Sequence, residues 1–258
     1  MKIASIQMSV VEGDKAANIE KAAQKIEACA DADLIVLPEM WNIGFLSFDR
    51  YALEAEDKGG PTLEMLRSMA QKTDSWIHSG SFVEREGDLL FNVSCLISPG
   101  GEIAGTYRKI HLFGFNSEEA RILTPGDRVS VVDTPLGKIG LATCFDLRFP
   151  ELFRTMVDRG AEIFLVCSAW PYPRFEAWQL LNRVRALENQ SFLISSNAVG
   201  MNRGVQYVGH SVVVDPWGTV VAGAGDLEQI VRCEIDITGV TLARKTFPAL
   251  AGRVEWLN

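Results

Sequence analysis

Histidine is scarce in this chain: His78, His111 and His210 are the only three in 258 residues, and they stand far apart. No group of His, Cys, Asp and Glu has the spacing of a metal site, so neither a metal nor a cofactor is expected. The five cysteines include no Cys-x-x-Cys pair. An odd number so widely spaced excludes a disulfide framework and suits a reducing compartment, so a cytoplasmic protein is expected. No apolar run approaches the roughly 20 residues needed to span a bilayer. The N-terminus enters a strand-like segment, Ile3 to Met8, without a signal-peptide apolar region. Positive charge is in deficit as well. The 25 Lys and Arg against 33 Asp and Glu leave a net charge of −8, which argues against nucleic acid or an anionic membrane as the main partner. Linkers, charge blocks, low-complexity stretches and internal repeats are also missing. At 47% hydrophobic and 22% charged, residues 1–258 are expected to form one globular domain with an ample core.

What is present is concentrated in one segment, Gly137 to Glu151 (GKIGLATCFDLRFPE). A β-type apolar stretch, Ile139 to Ala142, runs into Cys144, and the chain then turns through Phe145-Asp146-Leu147 toward a helix. A cysteine between a strand and a helix N-terminus meets free N–H groups and the positive end of a dipole, both of which favour a thiolate. The bland alternative is a buried structural cysteine. Two further segments have a similar design. Leu34-Ile35-Val36-Leu37 reads as a buried parallel strand ended by Pro38, which leaves Glu39 at its carboxyl end. In Gly105 to Leu112, Tyr107, Lys109 and His111 alternate onto one face of an extended segment. Ligands of open α/β sheets bind beyond the carboxyl ends of strands, so Glu39, Lys109 and Cys144 can meet at one rim.

These three segments, VLPEMWNIGF around Glu39, YRKIHLF around Lys109 and GLATCFDLRFPE around Cys144, resemble the signatures of the nitrilase superfamily of carbon–nitrogen hydrolases. The similarity extends from KIASIQM at the start to GHSVVVDPWG and RKTFP near the end. It implies a four-layer α-β-β-α sandwich, a Glu-Lys-Cys triad and assembly as a homodimer or larger homo-oligomer. Within that resemblance Glu119, six residues before Pro125, matches a second acidic position that holds the catalytic lysine or orients substrate; Glu118 is chemically as suitable.

The chemistry follows residue by residue. A neutral thiol needs a base, and Glu39 is the candidate. A tetrahedral oxyanion needs fixed donors, for which the Lys109 ammonium and the backbone N–H of Phe145 are placed. A thioester at Cys144 would form and then be hydrolysed. Arg148, four residues after Cys144, has the planar fork that suits a substrate carboxylate, although an internal salt bridge to Asp146, Glu151 or another acid is the favoured expectation. The segment CSAWPYPRFEAW adds Trp170, Tyr172 and Arg174 to the pocket wall. This combination resembles the omega-amidase branch, which implies a small carboxylate-bearing amide such as 2-oxoglutaramate. A nitrile or an N-carbamoyl-amine would use the same triad. His111 keeps a Cys-His hydrolase or transferase open, with a packed, hydrogen-bonding role as its ordinary alternative. A non-enzymatic binding module would be expected to have lost part of the triad.

The periodicities predict strands near 2–9, 34–37, 76–83, 91–98, 101–109, 163–167, 192–197 and 229–236, with a hairpin over 210–222. Helices are expected near 15–30, 62–73, 149–159 and 174–189, the last with Trp178, Leu181, Val184 and Leu187 on one side. Early β-α alternation followed by hairpins implies a mixed α/β fold of two sheets and two helical layers.

Overall fold

Every residue of the first strand but Lys2 is buried, because both of its faces are covered. Ala4 and Ile6 join one apolar cluster while Ile3 joins another on the opposite face, the period of two expected of a strand. In the computed structural model, which describes residues 1–254, this strand is β1 (Lys2–Gln7). It is followed by α1 (Lys15–Glu27), β2 (Leu34–Val36), α2 (Tyr51–Glu54), α3 (Pro61–Thr73), β3 (Trp76–His78) and β4 (Phe82–Glu86). Next come β5 (Leu89–Ile97), β6 (Ile103–Arg108), α4 (Glu119–Ile122), β7 (Val131–Thr134), β8 (Gly137–Thr143), α5 (Pro150–Asp158) and β9 (Ile163–Ser168). The remainder is α6 (Phe175–Asn189), β10 (Phe192–Asn197), β11 (Val199–Asn202), β12 (Val205–Val208), β13 (Val212–Val214), β14 (Val220–Gly223), β15 (Gln229–Glu234) and α7 (Thr238–Thr246).

Two mixed sheets result. One has the order β15-β1-β2-β3-β5-β4 with β6 also on β5, and the other the order β14-β13-β10-β9-β8-β7. Their centres are parallel: β1 with β2 and β2 with β3 in the first, β8 with β9 and β9 with β10 in the second. Parallel strands end at the same rim, which is why Glu39 and Cys144 share one end of the molecule. Between the sheets, Ile3, Leu34 and Val36 pack on the inner residues of the second sheet. Hydrogen bonds from Ser5 Oγ to Ser195 O (2.8 Å) and from Ser196 Oγ to Ile6 O (2.6 Å) join the two layers. The outer face of the first sheet carries α1 and α3 through Ala22, Ile26, Leu63 and Leu66. On the second, Phe153 of α5 meets Phe164 of β9 edge-on. The four-layer sandwich is thereby built.

The structure departs from the expected elements where backbone or polar demands override apolar pattern. The strand expected over 76–83 is broken at Gly80, whose φ is +64°. A Cβ there would lie 2.0 Å from Pro38 O, so glycine lets the chain pass close under the Pro38-Glu39 turn. On α6 the buried face is not the apolar one. Trp178, Asn182, Arg185, Ala186 and Asn189 point inward, while Leu187 is half exposed. Arg185 Nε donates to Leu147 O at 2.9 Å, so this face supplies a donor to the turn after Cys144. The hairpin expected over 210–222 forms as β13 and β14, and the structure adds the β11–β12 hairpin, β7 and α7 to the expected elements. Among the described residues no helix is long and apolar enough to cross a membrane.

A polar knot ties α1 to the loop before β15. Ser9 N and Oγ donate to Glu228 Oε1 at 2.9 and 2.5 Å, and Lys21 and Lys25 pair with the same carboxylate. Burial alone would raise the Glu228 carboxyl, but Lys21, Ser9 and Lys25 outweigh it and hold it at about 2. A depressed acid stabilises the fold above its unfolded value, near 4.5, and loses that contribution as pH falls toward about 2. Glu228→Gln should therefore lower the melting temperature at pH 7 while leaving it nearly equal to wild type near pH 2.5. Because the carboxylate is partly solvated, the expected effect at pH 7 is about 1 kcal/mol. A difference independent of pH across that window would exclude this account.

Candidate active site

Glu39 follows β2 by three residues and is almost wholly buried. Its backbone N–H donates to Ser168 O at 3.3 Å, at the end of β9, and Ala169 N–H donates back to Glu39 Oε2 at 2.9 Å. Lys109 stands one residue beyond β6, where its backbone N–H donates to Asn92 O at 2.9 Å. The Lys109 side chain is fully buried, with Nζ 2.9 Å from Glu39 Oε1 and 2.9 and 3.0 Å from the two oxygens of Glu119. Glu119 opens α4 and also accepts Phe113 N–H at 2.7 Å. Glu118, the other carboxylate considered, lies at the surface and pairs with Arg121.

Cys144 directly follows β8 with φ at +48°, a left-handed conformation that a non-glycine residue adopts only when its surroundings impose it. Asp146 does so. Its Oδ2 accepts Thr143 N–H at 2.8 Å and the Tyr107 hydroxyl at 2.7 Å, and its Oδ1 lies 2.7 Å from His111 Nδ1. The turn Cys144–Arg148 is a single 3-10 turn, and α5 begins only at Pro150, so the thiol is not set directly on an α-helix N-terminus. His111 is accordingly occupied with Asp146 and lies flat on Phe149, ring centres 3.7 Å apart. The strand ends at Arg108, so the alternation expected to align His111 with Lys109 does not persist to residue 111.

Burial pushes the Cys144 thiol well above its ordinary value, and the adjacent Glu39 charge adds to this against the opposing pull of Lys109. The neutral form of the Cys144 thiol is thereby favoured. Burial would neutralise Lys109, yet Glu119 and Glu39 overcome it and hold the ammonium charged well beyond its usual range. Burial also raises Glu119, opposed by Lys109 and reinforced by the Glu39 charge. Burying one cation with two carboxylates is costly, and such an arrangement marks chemistry more often than stability.

The thiol opens onto a cavity of about 270 Å³ lined by Phe45, Phe113, Asn116, Phe145, Trp170 and Tyr207 among others. Arg148, Tyr172 and Arg174 line it too, and no carboxylate among the described residues does. Arg148 forms no ion pair with the described residues; its guanidinium lies 5.0 Å from the Trp170 ring centre. The favoured salt bridge to Asp146, Glu151 or another acid does not form among the described residues, and Asp146 is engaged instead by Tyr107, Thr143 and His111. Arg174 lies 5.3 Å over Phe113, and Phe113 meets Phe145 edge-on. No cluster of three or more His, Cys, Asp or Glu among the described residues could hold a metal ion.

Sequence reasoning missed Asn92, whose Nδ2 donates to Glu39 Oε1 at 2.9 Å and to Glu119 Oε1 at 3.0 Å. A lone asparagine in a strand carries no local signal beyond its being a poor strand former. It also missed the share of β12 in the pocket through Val205 and Tyr207.

A four-layer α-β-β-α sandwich with a cysteine, a glutamate and a lysine at the shared rim of its two sheets defines a class of thiol hydrolases that cleave carbon–nitrogen bonds. The chain belongs to the carbon–nitrogen hydrolase family, whose model matches residues 2–245. It is similar to 2-oxoglutaramate amidases of Paenarthrobacter nicotinovorans (35% identity, 91% of this chain and 83% of that one) and Bacillus subtilis (34%, 95% of both). Its fold is similar to that of a CN-hydrolase superfamily protein of Xanthomonas campestris solved with an arsenic adduct in its active site. The TM-score is 0.92 at 31% identity, over 98% of this chain and 97% of that one. This protein is a hydrolase of the nitrilase superfamily that acts on carbon–nitrogen bonds other than peptide bonds.

Proposed function

We propose that Glu39, Lys109 and Cys144 form the catalytic triad of an omega-amidase-type enzyme, with small amides bearing a carboxylate, such as 2-oxoglutaramate, as substrates. The observation that carries the substrate class is the pocket itself: two guanidinium groups, Arg148 and Arg174, and no carboxylate among the described residues line a small cavity together with Cys144. A guanidinium without an acidic partner is a ready site for a planar carboxylate. The volume falls just under the range of about 300–1,000 Å³ that accommodates drug-sized ligands, which suits a small metabolite. The names of the similar amidases agree with this class.

In this reading Glu39 takes the thiol proton as Sγ attacks the amide carbonyl. The resulting oxyanion is met by Phe145 N–H and by Lys109. In the resting site the three ammonium hydrogens of Lys109 match three carboxylate oxygens. Protonation of Glu39 weakens one of these pairs and releases a donor toward the oxyanion. Glu39 then protonates the leaving nitrogen, ammonia departs, and a thioester remains on Cys144. Glu39 next removes a proton from water, whose attack frees the acid and restores the thiol. Glu119 holds Lys109, while Trp170 and Tyr172 shape the wall. The atoms balance with water alone, so the reading calls for no cofactor or metal.

The same reading takes residues 1–258 as one catalytic domain in a reducing, cytoplasmic setting that keeps Cys144 a thiol, with neither nucleic acid nor membrane as partner. It also places the protein in a homodimer or larger assembly. Leu180 and Leu187 on α6, with Trp217 and Val220 nearby, are exposed and offer an apolar surface for a second copy. Phe247 of the apolar stretch Phe247 to Trp256 is exposed as well, while residues 255–258 lie outside the described structure.

Ammonia release from 2-oxoglutaramate, 2-oxosuccinamate, glutamine, a neutral aliphatic amide, an N-carbamoyl-amine and a small nitrile tests the substrate class. Preference for the two 2-oxo acid amides is expected. Arg148→Ala and Arg174→Ala should each raise KM for those amides by about 10–100-fold, the equivalent of a lost charge-assisted contact, with little effect on the neutral amide. Equal losses on charged and neutral amides would remove carboxylate recognition from both arginines.

A further inference from the structure

The buried carboxylate pair poses a question of choice: two glutamates share one lysine, yet a single atom must accept the thiol proton. Donors around the four carboxylate oxygens answer it. Glu119 Oε1 takes Lys109 Nζ and Asn92 Nδ2, and Glu119 Oε2 takes Lys109 Nζ and Phe113 N. Glu39 Oε1 takes Lys109 Nζ and Asn92 Nδ2. Among the described residues Glu39 Oε2 takes only Ala169 N. A carboxylate oxygen offers about two in-plane lone pairs, so three oxygens are saturated and one is open.

We propose that Asn92 is a positioning residue that directs the thiol proton to Glu39 Oε2, by occupying the Oε1 atoms of Glu39 and Glu119 at once. This rests on the triad reading given above and extends it. The Asn92 side chain spends both amide hydrogens on the two carboxylates, while its buried Oδ1 has no partner among the described residues. The reverse amide orientation would turn Oδ1 toward two carboxylate oxygens, so the orphaned oxygen is the consequence of serving both glutamates. The Asn92 backbone carbonyl also accepts Lys109 N–H, so one strand residue sets the spacing of Lys109, Glu39 and Glu119. It lines no part of the substrate cavity.

Other titratable groups facing Glu39 are Lys109 beyond β6, Glu119 of α4, Cys144 beyond β8, Cys167 of β9, Tyr51 of α2 and Tyr207 of β12. All remain when Asn92 is changed. A hydrogen bond to the anion favours the anion, so losing Asn92 should make Glu39 harder to ionise.

The test uses the full-length enzyme and Asn92→Ala and Asn92→Asp variants, with 2-oxoglutaramate as substrate and iodoacetamide as a thiol probe located by mass spectrometry. Asn92→Ala should lower kcat by about 10–100-fold, leave KM within about twofold, and move the acid limb of kcat/KM up by about one pH unit. The pH dependence of Cys144 alkylation should move with it. Asn92→Asp keeps the shape but sets a third acid against the other two, and should shift both profiles further. An acid limb and an alkylation profile that stay in place overturn the proposal, even if kcat falls, because a merely structural role would leave both unmoved. If Asn92→Ala does not fold, the isosteric Asn92→Asp alkylation profile decides alone. Failure of the triad itself is separately visible: alkylation of wild-type Cys144 would then leave turnover intact.

Discussion

Cys144→Ala is expected to lower amide turnover by at least about 10⁴-fold while the protein keeps its fold. The loss is large because without Sγ no thioester forms, and the remaining donors can only polarise the amide for attack by water. The fold should persist because the left-handed turn is held by Asp146, through Thr143, Tyr107 and His111, and not by the sulfur. Cys144→Ser should fall nearly as far. A buried hydroxyl is far harder to ionise than a thiol, and Glu39 would have to remove that proton in a site that already disfavours the sulfur anion. Ammonia release and melting temperature, measured together, separate chemistry from unfolding. Turnover within tenfold of wild type in either variant would mean that another group attacks the substrate.

Lys109→Met should harm the protein twice. Its ammonium is the one cation among the described residues in contact with Glu39 and Glu119, and all three side chains are fully buried. Removing it leaves two carboxylates bridged only by Asn92 and backbone N–H groups, so at neutral pH one of them must take up a proton. Breaking a buried pair from one side costs about 3–5 kcal/mol, so the urea midpoint should fall steeply. Turnover should drop by about 10³-fold or more, since the oxyanion loses its charged donor and the base its tuning. A second change distinguishes the two effects. Lys109→Met with Glu119→Gln removes one buried negative charge and should recover most of the stability but none of the rate. If the double variant regained turnover, the lysine would be structural and not catalytic.

The elements that bring these groups together differ in how far they can be foreseen. Glu39 and Cys144 stand at the ends of short apolar strands closed by Pro38 and by a turn, and parallel strands send their carboxyl ends to one rim. That reasoning needs only the one-dimensional pattern. Lys109 is placed the same way, as the residue that follows an extended segment. The segment does not remain extended as far as His111, however, and residue 111 turns to Asp146. Arg148 shows the opposite limit. Proximity along the chain suggests Asp146 as its partner, but Asp146 is claimed by residues 35 and 39 positions away, so the guanidinium is left to the cavity.

The sequence by itself determined the family, through the resemblance of three motif segments, and the two-sheet α/β plan and strand-end positions of Glu39, Lys109 and Cys144, which are written in local periodicity and in residue types set beside chain breaks. Tertiary structure alone decided which carboxylate oxygen stays open, which face of α6 is buried, and that Asn92 and Tyr207 belong to the site. Those outcomes depend on hydrogen bonds and packing between strands far apart in the chain, and no local pattern records which distant donor will reach a given oxygen once the two sheets close.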